Sequence, residues 1–169
     1  YGTDAIGGVV HIITKDPVFT DSKPVLQGRA IAKYMTGDME KTIRAAANYS
    51  GKKFAFTGGI AHRRFGDLVG GDTTGKQMSS GYNEWSFDAK AKMLLTENTQ
   101  LTLANQFLQQ QHVPVYHKLK LENFAVNEMD PQQRLLNYAR INTKNKSMLF
   151  SETEITLSWQ QTREGRNSQ

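Results

Sequence analysis

The sequence predicts a mainly β protein whose strands follow one another in an antiparallel, up-and-down order. Two observations lead to this prediction. Apolar and polar residues alternate in several segments, as they do in strands that have one apolar and one polar face. Tight and long connections also alternate between these segments, as in a sheet built from successive hairpins. Seven strands are expected, near residues 27–36, 41–50, 53–64, 82–96, 99–112, 134–143 and 148–162.

The first element is a glycine-containing turn followed by one strand, within residues 1–16. Glycine allows a tight turn or a close approach of another backbone, and three glycines lie here: Gly2, Gly7 and Gly8. The β-branched, apolar run that follows is typical of a buried strand, and only His11 interrupts it. Pro17 ends the strand because proline lacks the backbone donor. Residues 17–26, with two prolines, are interpreted as a linker that leads to the sheet in residues 27–169.

Among the sheet segments, residues 82–96 alternate most clearly. Their apolar side chains share one face: Trp85, Phe87, Ala89, Ala91, Met93 and Leu95. The polar side chains share the other face: Ser86, Asp88, Lys90 and Lys92. Segments 41–50 and 148–162 alternate in the same way, whereas the first, fifth and sixth segments do so less cleanly. In the third segment, the adjacent Gly58 and Gly59 predict a bend or a bulge.

The connection lengths indicate a membrane barrel. Residues 50–53 and 97–99 are tight connections, and residues 65–81 and 113–133 are long ones. An up-and-down order places these tight turns at one end of the sheet and the long loops at the other, which is the arrangement of outer-membrane barrels. The first connection, near Gly37 and Asp38, falls on the long-loop side although it is short. Seven strands are too few to close one, because the smallest single-chain form has about eight. The chain is therefore interpreted as about seven strands of a larger, antiparallel transmembrane β-barrel.

Composition excludes several classes of function. The net charge of +5 and the pI near 9.4 would suit nucleic acid or the phosphate-rich surface of a Gram-negative cell. Lysines and arginines are spread along the chain rather than gathered in one stripe, so no nucleic-acid partner is expected. The absence of cysteine excludes disulfides and thiolate chemistry. No apolar run is long enough for a transmembrane helix, although a barrel strand needs only alternate apolar residues.

No motif predicts catalysis. Gly70–Lys76 satisfies the GxxxxGK pattern of phosphate-binding loops, but Gln77 follows where a Ser or Thr should reach Mg²⁺. The residues after it do not open a helix, so no helix N-terminus would face a phosphate. No GxSxG turn occurs, and the acidic residues are scattered. The sequence therefore predicts a protein that is not an enzyme and has no catalytic residues, cofactor or metal centre.

Two groups of residues are candidates for ligand binding. The first is a cationic strand end that could meet an anionic ligand or a lipopolysaccharide phosphate; it consists of His62, Arg63 and Arg64. The second lies in or beside the second long loop, and its imidazole and phenol groups can ligate iron or haem; it consists of His112, Tyr116 and His117. The alternative interpretations are a solvated strand end and plain loop residues, since no HExxH or Cys–His framework accompanies them.

The opening residues, YGTDAIGGVVHIITK, carry a family resemblance. They resemble the end of the plug domain of TonB-dependent outer-membrane receptors, where a YG-(S/T)-(D/E)-A-(I/L)-GG-V-(I/V)-N-I-(I/V)-T-(K/R) pattern closes the plug before the barrel. The plug positions that match include Gly2, Asp4, Gly7 and Gly8. His11 departs from the pattern, which usually has Asn there. The resemblance implies that residues 1–16 end a plug, that 17–26 link it to the barrel, and that 27–169 begin a barrel of about 22 strands.

The resemblance also implies a function, which is active import across the outer membrane of a Gram-negative bacterium. A ferric siderophore, haem, cobalamin or a glycan would bind to the long loops and the plug. The energy-coupling protein TonB would act through a segment upstream of Tyr1. Outer-membrane lipid and lipopolysaccharide would surround the barrel. The alternatives are a soluble antiparallel β-sheet that acts as a binding module, a passive porin, and an outer-membrane enzyme.

Overall fold

A computed structural model describes residues 14–71, 73–144 and 151–169. In chain order, its strands and helix are β1 (Val25–Met35), β2 (Glu40–Ser50), β3 (Phe54–Phe65), β4 (Leu68–Val69), β5 (Lys76–Gln77), β6 (Tyr82–Leu94), β7 (Thr99–Gln111), β8 (Val113–Pro114), α1 (Tyr116–Leu121), β9 (Asn127–Lys144) and β10 (Glu152–Ser168). A short 3₁₀ turn, Thr36–Asp38, joins β1 to β2. No helix of the described residues is long and apolar enough to cross a membrane. The predicted plug positions Gly2, Asp4, Gly7 and Gly8, together with His11, lie outside the described residues.

The long strands form one antiparallel sheet in the order β1-β2-β3-β6-β7-β9-β10. Each strand pairs with the next long strand along the chain, so the predicted up-and-down topology with seven strands is confirmed. The small β4–β5 hairpin and β8 lie within the two long connections. In the described part of the chain, β1 and β10 are the two edges, and they do not pair with each other. The sheet is therefore open.

One face of the sheet is apolar and exposed; we call it the apolar face. Directly paired residues of antiparallel strands project to the same side, and Ile60 of β3 pairs with Ala45 of β2 and Phe87 of β6. The registers extend this face across all seven strands. Its large exposed side chains are Leu26, Tyr34, Ile43, Phe54, Ile60, Trp85, Phe87, Leu103, Ile141, Ile155, Leu157 and Trp159.

The opposite face, which we call the polar face, carries most of the charged side chains of the strands. No dry core lies on either face, because the only buried apolar side chains of the described strands are Ala55 and Ala61. A sheet in a soluble domain ordinarily buries one face against a second layer. This sheet instead has an exposed apolar face and a polar face that carries several ion pairs.

The structure corrects two details of the predicted strands. β9 begins at Asn127, seven residues before the expected start at 134. Pro131 does not end the strand, because it lies in a register shift between Met129 and Gln132 where no regular pairing is interrupted. The bend or bulge expected at Gly58 and Gly59 is wrong, since the pairing of β3 continues through both residues without a shift.

Candidate functional site

An ion pair on the polar face crosses β3 and explains why residue 59 is a glycine. Arg44 of β2 and Asp88 of β6 flank β3, and the arginine Nη2 lies 2.7 Å from the aspartate Oδ1. A Cβ at Gly59 of β3 would lie 2.6 Å from that same Nη2. Neighbouring strands are about 4.8 Å apart, so groups two strands apart meet only when a long side chain crosses the strand between them. Gly59 leaves the space in which the guanidinium crosses.

A second cluster on this face surrounds Glu84, which is buried with its side chain 8% exposed. The Glu84 carboxylate is paired with the Arg63 guanidinium and accepts a hydrogen bond from Gln110 Nε2 at 2.8 Å. A buried carboxylate without such partners would be strongly unfavourable. These contacts therefore fix Arg63 to the sheet.

The polar face also holds the segment that precedes β1. Lys90 Nζ donates to Thr14 Oγ1 at 2.7 Å and to Asp16 Oδ1 at 2.8 Å, and Lys92 Nζ lies 3.4 Å from Asp16 Oδ2. Partial burial opposes ionisation of Asp16, but the hydrogen bond and the positive charge of Lys90, aided by Lys92, outweigh it and lower the pKa of this carboxyl. Pro17, the next residue, is buried. Residues 14–17 are therefore attached to the polar face by charge and by packing.

A cavity of about 430 Å³ lies between this segment and the polar face. Basic side chains predominate among the charged residues that line it: Lys15, Arg44, Arg63, Lys90 and Arg134, with Asp88 as the acidic one. Arg44, Arg63 and Lys90 have carboxylate partners. No described residue forms such a pair with Lys15 or Arg134. The cavity can therefore offer donors to an anionic or oxygen-rich group.

The three residues predicted as a binding group at the end of β3, His62, Arg63 and Arg64, do not project to the same face of the sheet. Because side chains alternate along a strand, His62 and Arg64 belong to the apolar face, whereas Arg63 belongs to the polar face. The His62 ring packs against Trp85, with a centroid separation of 4.4 Å. Arg64 is exposed and lies opposite Lys41 of β2. Their role in ligand binding stays a prediction, but a single ligand could not meet all three side chains on one face of the sheet.

The second predicted group divides as well. His112, which follows β7, lies beside two carboxylates of β9: its Nδ1 is 3.1 Å from Glu128 Oε1 and 3.3 Å from Asp130 Oδ2. The hydrogen bond with Glu128 and the charge of Asp130 raise the pKa of His112. Tyr116 and His117 begin the short helix α1, and no described ion pair of His112 involves either. Their role as ligands also stays a prediction.

The GxxxxGK stretch forms the connection of the β4–β5 hairpin. Gly70 N donates to Gly75 O at 2.8 Å, and Gly75 N donates to Gly71 O at 3.0 Å. β5, not a helix, follows this turn at Lys76. The turn therefore lacks the helix N-terminus of a phosphate-binding loop, which agrees with the sequence-based interpretation.

Sequence reasoning missed the carboxylate partners at these places. The sequence pattern predicts no partner for Asp16 or Glu84, because the residues that pair with them are distant in the sequence. The same pattern places Glu128 and Asp130 inside a long loop. Their i, i+2 spacing was a signal that both could project to one side of a strand. No family model, curated protein or solved structure matches this chain.

Proposed function

We propose that this protein is an outer-membrane importer of the TonB-dependent class, and that the described sheet is part of its barrel wall. The observation that carries the proposal is the pairing of a wide, exposed apolar face with a charged opposite face in one sheet of long strands. Hydrocarbon would cover the apolar face, and the polar face would line a water-containing interior.

The extent of the apolar face supports a membrane. Along β3 the face runs from Phe54 through Ile60 to His62, where it gives way to Arg64. At about 3.3 Å per residue, the eight steps from Phe54 to His62 cover roughly 26 Å along the strand. Strands in outer-membrane barrels tilt by about 35–45°, and their apolar bands are about 25 Å tall. With that tilt, 26 Å along the strand covers roughly 20 Å of height, which is about four-fifths of such a band.

The path of the chain before β1 supports a plug that continues into a barrel. Residues 14–17 lie on the polar face, attached through Lys90. The chain then passes the tight-turn end, where Thr20 N donates to Gly51 O at 3.1 Å, and β1 begins at Val25. A segment that leaves the interior of a barrel at its short-turn end and enters the first strand would take this path.

Import by this class needs no covalent chemistry. A ferric siderophore, haem, cobalamin or a glycan would bind among the long loops and the plug. TonB, acting from the periplasm, would then favour a state with weaker ligand affinity and an open path, so that the ligand moves inward. The cavity on the polar face, with Lys15 and Arg134 unpaired among the described residues, would offer donors to the ligand along that path.

The membrane part of the proposal can be tested with tryptophan fluorescence. Trp85 and Trp159 both belong to the apolar face. Trp85 is two residues from Phe87 on β6, and Trp159 is two residues from Leu157 on β10, so each tryptophan projects to the same side as its neighbour. The intact protein is prepared in vesicles as two variants, one that keeps only Trp85 and one that keeps only Trp159. Lipids that carry a doxyl group on the acyl chain should quench the fluorescence of each tryptophan. A matched control is Ser86→Trp in a tryptophan-free background, which places the indole at the same height on the polar face. This control should resist the doxyl lipid.

Two results would reject the membrane assignment. One is equal doxyl quenching of all three variants. The other is a Trp85 that only water-soluble acrylamide quenches, as expected if the apolar face were open to water. If the intact protein stays in solution without detergent, the binding-module alternative is favoured instead.

The transport part of the proposal is tested by growth of bacterial cells on limiting nutrients. Deletion of this protein and deletion of TonB should each abolish growth on the same single class of limiting nutrient among ferric siderophore, haem, cobalamin and glycan. Uptake that needs this protein but not TonB would indicate a passive porin. Equal growth of the deletion and the parent on every source would overturn the import proposal, whatever the fluorescence shows.

A further inference from the structure

Three side chains at the long-loop end of the sheet bring ligand atoms together, although they come from two different segments. His112 follows β7, and Glu128 and Asp130 belong to the start of β9. One nitrogen of His112 and one oxygen of each carboxylate all lie within 4.8 Å of one another. The site is accessible, since the His112 side chain is 64% exposed and the two carboxylates are 21% exposed.

Two of the three spacings between ligand atoms, those from His112 to each carboxylate, fit a small divalent cation. Zinc binds nitrogen and carboxylate oxygen at about 2.0–2.2 Å in tetrahedral geometry, which separates neighbouring ligand atoms by roughly 3.3 Å. His112 Nδ1 lies 3.1 Å from Glu128 Oε1 and 3.3 Å from Asp130 Oδ2. A cation held by these three atoms would keep a fourth position open toward solvent, because His112 is so exposed.

Charge balance also favours a cation here. Two carboxylates that lie this close repel each other, and the single positive charge of a protonated His112 would leave the cluster at −1. Among the described residues, neither Glu128 nor Asp130 pairs with a Lys or Arg; Asn167 Nδ2 donates to Glu128 Oε1 at 3.3 Å. A divalent cation with a neutral imidazole and two carboxylates brings the cluster to zero.

The donor set selects the class of metal. Imidazole with carboxylate suits zinc and neighbouring transition metals, whereas Ca²⁺ takes six to eight oxygen ligands and Mg²⁺ keeps mostly water. We propose that His112, Glu128 and Asp130 form a zinc-class site that ties the end of β7 to the start of β9. The site would close the long connection that contains β8 and α1. This inference is independent of the proposed transport function.

The first test is zinc binding to the purified, untagged protein, measured by titration calorimetry at mildly alkaline pH so that the ligands are deprotonated. The wild type should bind Zn²⁺ saturably. His112→Ala and Asp130→Asn should each weaken this binding by at least about tenfold, since even the loss of an outer partner of a ligand costs roughly 10–100-fold. The matched controls are His117→Ala and His62→Ala, which should leave binding unchanged.

The second test reports on the connection itself. Trypsin can cut after Lys118 or Lys120 in α1. Zinc should slow this cleavage in the wild type and in His117→Ala, but not in His112→Ala. Wild-type protein without saturable zinc binding would overturn the proposal. So would a His112→Ala variant that binds zinc as tightly as the wild type, or zinc binding that does not alter cleavage. None of these results bears on the membrane or uptake experiments.

Discussion

A single lysine on the apolar face gives the sharpest test of what surrounds the sheet. Ile60 is 49% exposed and is flanked by Ala45 and Phe87 on the neighbouring strands, within the apolar stretch of β3 and two residues before its end at His62. If hydrocarbon covers this face, Ile60→Lys places a charge well inside the bilayer. Such a substitution costs about 2–4 kcal/mol at the midplane of a barrel and about 0–1 kcal/mol near the interfaces, so we expect about 2 kcal/mol at Ile60, which lies between them. If the apolar face were instead open to water, the same half-exposed position would accept lysine with little change.

The expected loss can be stated as a ratio. Because each 1.4 kcal/mol is a factor of ten, about 2 kcal/mol lowers the ratio of folded to unfolded protein by roughly 30-fold. The matched control is Ser86→Lys, which places the charge at the same height on the polar face, between Glu84 and Asp88 of the same strand. That variant should lose much less stability than Ile60→Lys, since the polar face would be in contact with water, although Arg44 and Arg63 already pair with Asp88 and Glu84.

The assay is folding of the intact protein into lipid vesicles, followed over a urea series. Ile60→Lys should lose most of its folded fraction at urea concentrations where the wild type and Ser86→Lys remain folded. Equal midpoints for Ile60→Lys and the wild type would refute the assignment of the apolar face to lipid. A loss that both lysine variants share would show that β3 and β6 tolerate no added charge on either face, and it would refute the assignment as well.

Two further predictions concern the polar face. Gly59→Ala should lower thermal stability, because its methyl group would displace the guanidinium that crosses β3, whereas Gly28→Ala, with no atom within 4 Å of the added Cβ, should leave the melting temperature unchanged. Equal melting temperatures for the two variants would contradict this account. Asp16→Asn should speed tryptic cleavage after Lys15, because it removes the charge that holds the segment to the sheet, whereas the exposed control Asp21→Asn should not. Acid should also release the segment, because the pKa of Asp16 is lowered: its contribution is present above pH 3.8 and is lost as the pH falls through the pKa of the folded state. Trypsin is inactive in this range, so the measurement is pepsin cleavage near Phe19, expressed relative to an unfolded substrate at each pH; a relative rate that depends neither on pH nor on Asp16 would contradict the attachment.

The two faces of the sheet were predictable because strand geometry has a period of two. Trp85 and Phe87 had to share a face once residues 82–96 were interpreted as a strand, and the register confirms this. The order of the strands followed from the connection lengths. A tight connection can only join adjacent antiparallel strands, so two such turns fixed the direction of the strands on either side of them.

The ion pairs were not predictable from local pattern. Asp16 and Lys90 are 74 positions apart, and their contact depends on how the first segment lies on the finished sheet. The grouping of His62 with Arg63 and Arg64 had a different weakness, since it treated neighbours in sequence as neighbours in space. The same period of two that predicted the faces places Arg63 on the side opposite the other two.

The open edges of the sheet connect the fold to the proposed function. β1 and β10 are 11 and 17 residues long, and in the described part of the chain each has one side without a paired strand. Unpaired backbone groups are intolerable in lipid, so a membrane requires partners for these edges; in water they promote aggregation and require only protection. The media differ in what covers the apolar face: a soluble fold needs a second protein layer there, and a barrel needs only lipid. Trp159 distinguishes a protein layer from lipid, because it lies on the edge strand β10 and its indole is exposed on the apolar face near Leu157. Covering by protein would hide Trp159 from both doxyl lipid and acrylamide, whereas continuation of the sheet beyond β10 would leave it open to lipid alone.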